Sequence, residues 1–189
     1  MTWNLPNSLT FLRLLAAPGV AVMFLYFHRP WADWFALALF IGAAITDWFD
    51  GYLARVWEQQ SALGRMLDPI ADKLLVAACL LMLVSNKTIT GLSVWAALII
   101  LSREILVSGL REFLAELRVS VPVTQVAKWK TTLQLLALGF LIAGPAGEPV
   151  LPGTIKIGIG LLWVAAILTL YTGWDYFRAG IRHVVDHEG

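Results

Sequence analysis

The sequence is poor in cysteine and in charge, and it carries almost no net charge. With one cysteine in 189 residues, no intramolecular disulfide can form, and the apolar run around Cys79 marks it as a small packed side chain rather than a nucleophile. Charged residues make up only 14% of the chain and sum to +1, so no net field draws it to nucleic acid. No tandem repeat or low-complexity tract is present. No basic stretch precedes the first apolar run, and the first charge, Arg13, lies inside it. That run therefore reads as a retained span, not as a cleaved leader.

What replaces charge is apolar surface. Hydrophobic residues make up 59% of the chain and mean hydropathy is +0.73, well above the roughly 45–50% of an ordinary soluble domain. A core of this size does not need that excess, so part of it must face lipid. Six stretches are long and apolar enough to read as spans, at approximately 9–27, 32–52, 68–86, 92–112, 129–145 and 155–175. They nearly fill the sequence and leave no room for a separate soluble domain. The expectation is an all-α integral membrane protein of six transmembrane helices. It forms one domain over 1–189, with a short interfacial segment at 1–8.

Orientation follows from where the basic residues fall. With the N-terminus inside, only Arg29, Lys87 and Lys156 of the fourteen Lys and Arg lie on the outer side. Basic residues favour the cytoplasm, so the chain is expected N-in and C-in, multi-pass in the inner membrane. The outward connections, His28-Arg29-Pro30, Ser85-Asn86-Lys87 and Gly144-Pro145-Ala146-Gly147, carry turn residues and read as plain connectors. The polar residues gather on the inner side, and any chemistry is expected there.

Four carboxylates stand out. Asp47 and Asp50 close the second span, and Asp68 and Asp72 open the third. On a helix the first pair is about 60° apart and the second about 40°. Two neighbouring antiparallel helices would aim all four at one point. Acids near helix ends are commonly just solvated, and a single pair would mean little. Four like charges in one pocket, however, cannot stay ionised without a compensating cation. Two hard divalent ions with oxygen ligands would balance them. Gly51, Ala54 and Gly64 lie on the same stripes and let a ligand or a neighbouring helix approach. Pro69 is expected in the first turn of the third span. In the tail, Asp175, His183, Asp186 and His187 have chelating spacing but read as a solvated end.

The run Asp47-x2-Asp50-Gly51-x2-Ala54-Arg55-x8-Gly64-x3-Asp68-x3-Asp72 resembles the signature of the CDP-alcohol phosphotransferase family, eight fixed residues over 26 positions. The resemblance implies a helical bundle like that of the family, usually a homodimer, with two Mg2+ or Mn2+ ions. Asp47 and Asp68 would bridge both ions, Asp50 would complete one site, and Asp72 would complete the other. Asp72 would also be the base that takes the acceptor's proton. Gly51, Ala54, Arg55, Ser61 and Gly64 would meet the CDP-lipid.

Other stretches resemble the branch of that family whose acceptor is sn-glycerol 3-phosphate and whose donor is CDP-diacylglycerol. They are Leu5-Pro6-Asn7-Ser8-Leu9-Thr10-Phe11-Leu12-Arg13, Ser102-Arg103-Glu104-Ile105, the run Gly109 to Ala115, and Lys128-Trp129-Lys130-Thr131-Thr132-x-Gln134. Ala127 stands where the branch often has glycine. The likeness implies that Asn7, Thr10 and Arg13 help to hold the nucleotide. It does not extend in detail to the last span. A dianionic acceptor needs a basic site, and Arg103, Arg111, Lys128 and Lys130 lie on one membrane side. The positive-inside bias alone would place several of them there. Glu104 is adjacent to Arg103 as an ion partner.

Serine, inositol phosphate and phosphatidylglycerol remain as other acceptors. A magnesium-dependent prenyltransferase would need two separated Asp-rich motifs and more spans. A cation transporter would spread acids along several helices at mid-membrane and carry an inverted repeat. Neither pattern is in the sequence.

Overall fold

The computed structural model describes residues 5–56, 62–116 and 125–188; the side chains of 47–56, and several near other helix ends, lie outside the description. All regular structure among those residues is helical: α1 (Leu5–Tyr26), α2 (Trp31–Val56), α3 (Ala62–Ser85), α4 (Ser93–Glu116), α5 (Gln125–Gly147) and α6 (Thr154–Glu188). All six expected spans fall on helices. Three of them contain stretches long and apolar enough to cross a membrane: Ser8–Tyr26, Ser93–Ala115 and Thr154–Arg178. The protein is a membrane protein. In α2 the apolar stretch among the described residues is shorter, Trp31–Thr46. In the sequence, α2 ends and α3 begins on the acidic motif, and α5 carries Lys128 and Lys130 in its first turns. Charge interrupts hydropathy where the candidate site lies.

The chain divides into two compact units, Met1–Ile89 with Leu138–Ile155, and Thr90–Ala137 with Lys156–Gly189. In the first, α1 packs against both α2 and α3. The buried residues there include a set of alanines: Ala16 and Ala17 on α1, Ala32, Ala36 and Ala43 on α2, and Ala71 on α3. Small side chains let helix backbones approach where lipid supplies no hydrophobic drive between them. Large apolar residues such as Leu15, Leu106 and Trp174 are exposed. That distribution suits hydrocarbon outside as well as inside.

Local chemistry moves three expected boundaries. Helix α1 starts at Leu5, so residues 5–8 are its first turn, while 1–4 lie outside the described residues. Pro6 is tolerated because an N–H in the first turn has no carbonyl partner. Pro69 is not in the first turn of its helix, because α3 starts at Ala62. It removes one N–H from the ladder, and Lys73 Nζ donates to the Pro69 carbonyl at 3.0 Å. Regular helix in α5 breaks at Gly144, with φ 44° and ψ −131°, close to the expected end of the fifth span. Only glycine adopts that backbone readily. Gly144→Ala is therefore expected to lower stability by about 1–3 kcal/mol, read as thermal unfolding in detergent. Crowding is not the cause, since the nearest atom to an added Cβ is 4.0 Å away, on Thr88.

Two connections expected on the outer side, and read from sequence as plain, are tied together. Arg29 Nε lies 3.3 Å from Oδ1 of the fully buried Asp33. Arg29 Nη2 also donates to the Thr88 hydroxyl at 3.1 Å, which donates to Asn86 Oδ1 at 2.7 Å. An uncompensated buried carboxylate would be strongly destabilising, so this pairing fixes the start of α2. In the third connection, Glu148 accepts the N–H groups of Gly153 and Ile155 at 2.8 and 3.0 Å. That carboxylate caps the start of α6.

Candidate functional site

In the first unit the acidic motif is carried by two helices that both lean on α1. Asp68 and Asp72 are half-buried, four residues apart on α3, and so project from one face. Thr10 on α1 is buried, and its hydroxyl donates to Asp68 Oδ1 at 2.7 Å. Thr10, expected near the nucleotide, thus also holds a carboxylate of the motif. Arg13, one turn further along α1, is 2% exposed and among the largest fully buried side chains. The sequence marks it as a charge inside an apolar run, and the likeness implies a part in holding the nucleotide. Gly64 is half-buried near the start of α3.

The other motif residues are placed by backbone alone. Asp47, Asp50, Gly51, Ala54 and Arg55 are on the last turns of α2, Asn7 is in the first turn of α1, and Lys128 is in the first turn of α5. Their side chains lie outside the described ones, as does Ser61 entirely. Among the described residues no group of three or more His, Cys, Asp or Glu converges. The described donors of the motif are Asp68 and Asp72.

In the second unit three of the basic residues expected at the acceptor, Arg103, Arg111 and Lys130, form two clusters. Glu104 Oε1 is shared: it bonds Lys130 Nζ and lies 3.6 Å from Arg103 Nη1. Lys130 is 4% exposed, so its charge is compensated by Glu104 in place of water. Arg103 Nη2 also donates to Thr172 Oγ1 on α6 at 3.0 Å. Two turns beyond Arg103, Arg111 Nη2 donates to the hydroxyl of Tyr176 at 3.3 Å. Its guanidinium carbon lies 5.3 Å from the centre of that ring, within cation–π range. Thr172 and Tyr176 were not foreseen. They lie on the last span, where threonine and tyrosine in an apolar run give no distinct signal.

Between α4 and α6 runs a groove of about 680 Å³. Its walls are apolar, among them Trp95, Leu106, Phe113 and Trp174, with Arg103 at one side.

The family model described as CDP-alcohol phosphatidyltransferase matches residues 3–171. The chain belongs to that family. CDP-alcohol phosphatidyltransferases similar to it include a protein of Cereibacter sphaeroides, 47% identical over 225 aligned positions that cover 100% of both chains. A Rickettsia bellii protein is 47% identical over 93% of this chain and 94% of its own. A Shigella flexneri serotype 5b protein is 39% identical over 98% and 100%. Each is named CDP-diacylglycerol–glycerol-3-phosphate 3-phosphatidyltransferase. The family expected from the 47–72 motif is therefore borne out for the chain as a whole. The match also takes in most of the last span, which the sequence reading had left without detailed likeness.

Proposed function

We propose that this phosphatidyltransferase moves the phosphatidyl group of CDP-diacylglycerol to sn-glycerol 3-phosphate, giving phosphatidylglycerophosphate and CMP at the cytoplasmic face of the inner membrane. The reading rests above all on full-length likeness to relatives that bear that name. The geometry supplies its chemistry.

The donor set fits divalent cations. Asp68 and Asp72 offer only oxygen, and the Thr10 hydroxyl orients Asp68 as outer partners orient metal-binding carboxylates. Asp47 and Asp50 at the end of α2 would complete the set around two Mg2+ or Mn2+ ions. When bound, the ions supply neutralisation of the diphosphate and polarisation of the attacked phosphorus.

The remaining work falls to the chain. Asp72 takes the proton from the acceptor hydroxyl as its oxygen forms a bond to the phosphatidyl phosphorus. The bond from that phosphorus to the CMP oxygen breaks, and CMP leaves. Asn7, Gly51, Ala54, Arg55, Ser61 and Gly64 hold the CDP-lipid, Arg55 through its guanidinium. Arg103, Arg111, Lys128 and Lys130 hold the acceptor phosphate. The active form is a homodimer.

The deciding experiment supplies purified protein with CDP-diacylglycerol and either glycerol 3-phosphate, serine or inositol phosphate, with and without magnesium, and identifies the lipid formed. Phosphatidylglycerophosphate from glycerol 3-phosphate alone, only with the cation, is the expected result. A serine or inositol phosphate product at an equal or greater rate would overturn the acceptor assignment. A milder effect is expected of Thr10→Val, which removes the donor to Asp68 but keeps the shape. The magnesium concentration for half-maximal rate should rise about tenfold, read by titrating magnesium against CMP release.

A further inference from the structure

We propose that Thr172 and Gly173 on α6 are positioning residues for the acceptor: together they form the seat that holds the Arg103 guanidinium for the phosphate of glycerol 3-phosphate. The proposal rests on the reading of Arg103 as an acceptor-phosphate ligand and deepens it. The family match ends at residue 171, so these two positions lie just beyond it.

Two features of α6 make the seat. The first is a polarised hydroxyl. Thr172 Oγ1 lies 3.0 Å from the Leu168 carbonyl and 3.3 Å from that of Thr169. Its single proton is committed to its own helix. The lone pairs are left to accept from Arg103 Nη2. Thr172 is 2% exposed, so water does not compete for that bond.

The second is a missing side chain. A Cβ at Gly173 would come within 3.1 Å of Arg103 Cγ and 3.4 Å of its Nε. The glycine lets the stem of Arg103 lie directly against α6. Alanine there would push the stem by a few tenths of an ångström and take Nη2 off its acceptor. Glu104, next to it on α4, bonds Lys130 of α5 and pairs with Arg103, so the arginine is held by α6 and by a neighbour on its own helix.

The held guanidinium still has donors to offer. Nη2 spends one N–H on Thr172, and the 3.6 Å approach to Glu104 is an ion pair. Nε is buried without a hydrogen-bond partner. Arg has five N–H donors in a rigid fork. With one Nη2 N–H spent and Nη1 facing Glu104, the Nε N–H without a partner and the second N–H of Nη2 remain for an oxyanion. A purely structural cross-link would not leave them open.

The test measures KM for glycerol 3-phosphate, KM for CDP-diacylglycerol, and kcat in full-length protein. Thr172→Val should raise KM for glycerol 3-phosphate about tenfold, the scale of a hydrogen bond to a charged group. KM for the CDP-lipid should stay at the parent value. Thr172→Ser, which keeps the hydroxyl, should restore the parent KM, and Gly173→Ala should move it in the same direction as valine. In an Arg103→Ala background, Thr172→Val should add nothing, because it acts only through the arginine. Additive effects of the two changes, or equal rises in both KM values, would overturn the proposal. So would an unchanged KM in Thr172→Val while Arg103→Ala raises it, and in that case the acceptor reading survives. An Arg103→Ala protein with parent KM for glycerol 3-phosphate would remove Arg103 from the acceptor site and this proposal with it.

Discussion

Asp72→Asn leaves a folded protein that no longer transfers. A positioned general base contributes about 10²–10⁴-fold, and the amide neither accepts the hydroxyl proton nor carries the charge that a cation needs. CMP release should fall by at least about a hundredfold on that basis. The asparagine is nearly isosteric and the side chain is only half-buried, so the thermal midpoint should stay close to that of the parent. Purified Asp72→Asn protein releasing CMP at the parent rate would contradict the base assignment. A mutant that unfolds at a much lower temperature would point instead to a structural carboxylate.

Removing divalent ions should have an effect of the same order. Four aspartates at 47, 50, 68 and 72 bring four negative charges that two divalent cations would balance. Metal assistance is worth several kcal/mol of charge stabilisation, and each 1.4 kcal/mol is tenfold in rate. Chelation should therefore lower transfer by more than about a hundredfold, with recovery on adding Mg2+ or Mn2+. Asp68→Ala protein should stay inactive at magnesium concentrations that fully restore the parent. Full activity after exhaustive chelation, checked by metal analysis, would end the two-cation account.

Much of this was legible in the sequence, and the reason is spacing. The acid pairs recur at helical intervals beside small residues, and that pattern survives without any knowledge of partners. Helix existence was equally legible, because apolar runs of this length have few alternatives. Positions that depend on a partner helix were not. Nothing in the sequence shows that the Thr10 hydroxyl reaches across to Asp68. Thr172 and Gly173 look like ordinary residues of an apolar run until Arg103 is found lying on them. Arg29 and Asp33 are four apart and could have been paired on that ground. The further link from Arg29 to Thr88 spans 59 positions and has no local trace. Pro69 was expected at a helix start because proline is best tolerated there, but α3 begins a full turn earlier than the apolar run suggests. Charged residues can extend a helix past its apolar stretch where hydropathy alone would end it.

The pairing of α4 with α6 has a topological consequence. Arg103 meets Thr172, and Arg111, further along α4, meets Tyr176, further along α6. Higher numbers face higher numbers, so the two helices run in the same direction. A chain that crosses a bilayer twice in one sense must cross back in between, and α5 is the segment available for that return. The C-terminal ends of α4 and α6 consequently open on the same aqueous compartment, a conclusion that owes nothing to the distribution of lysine and arginine.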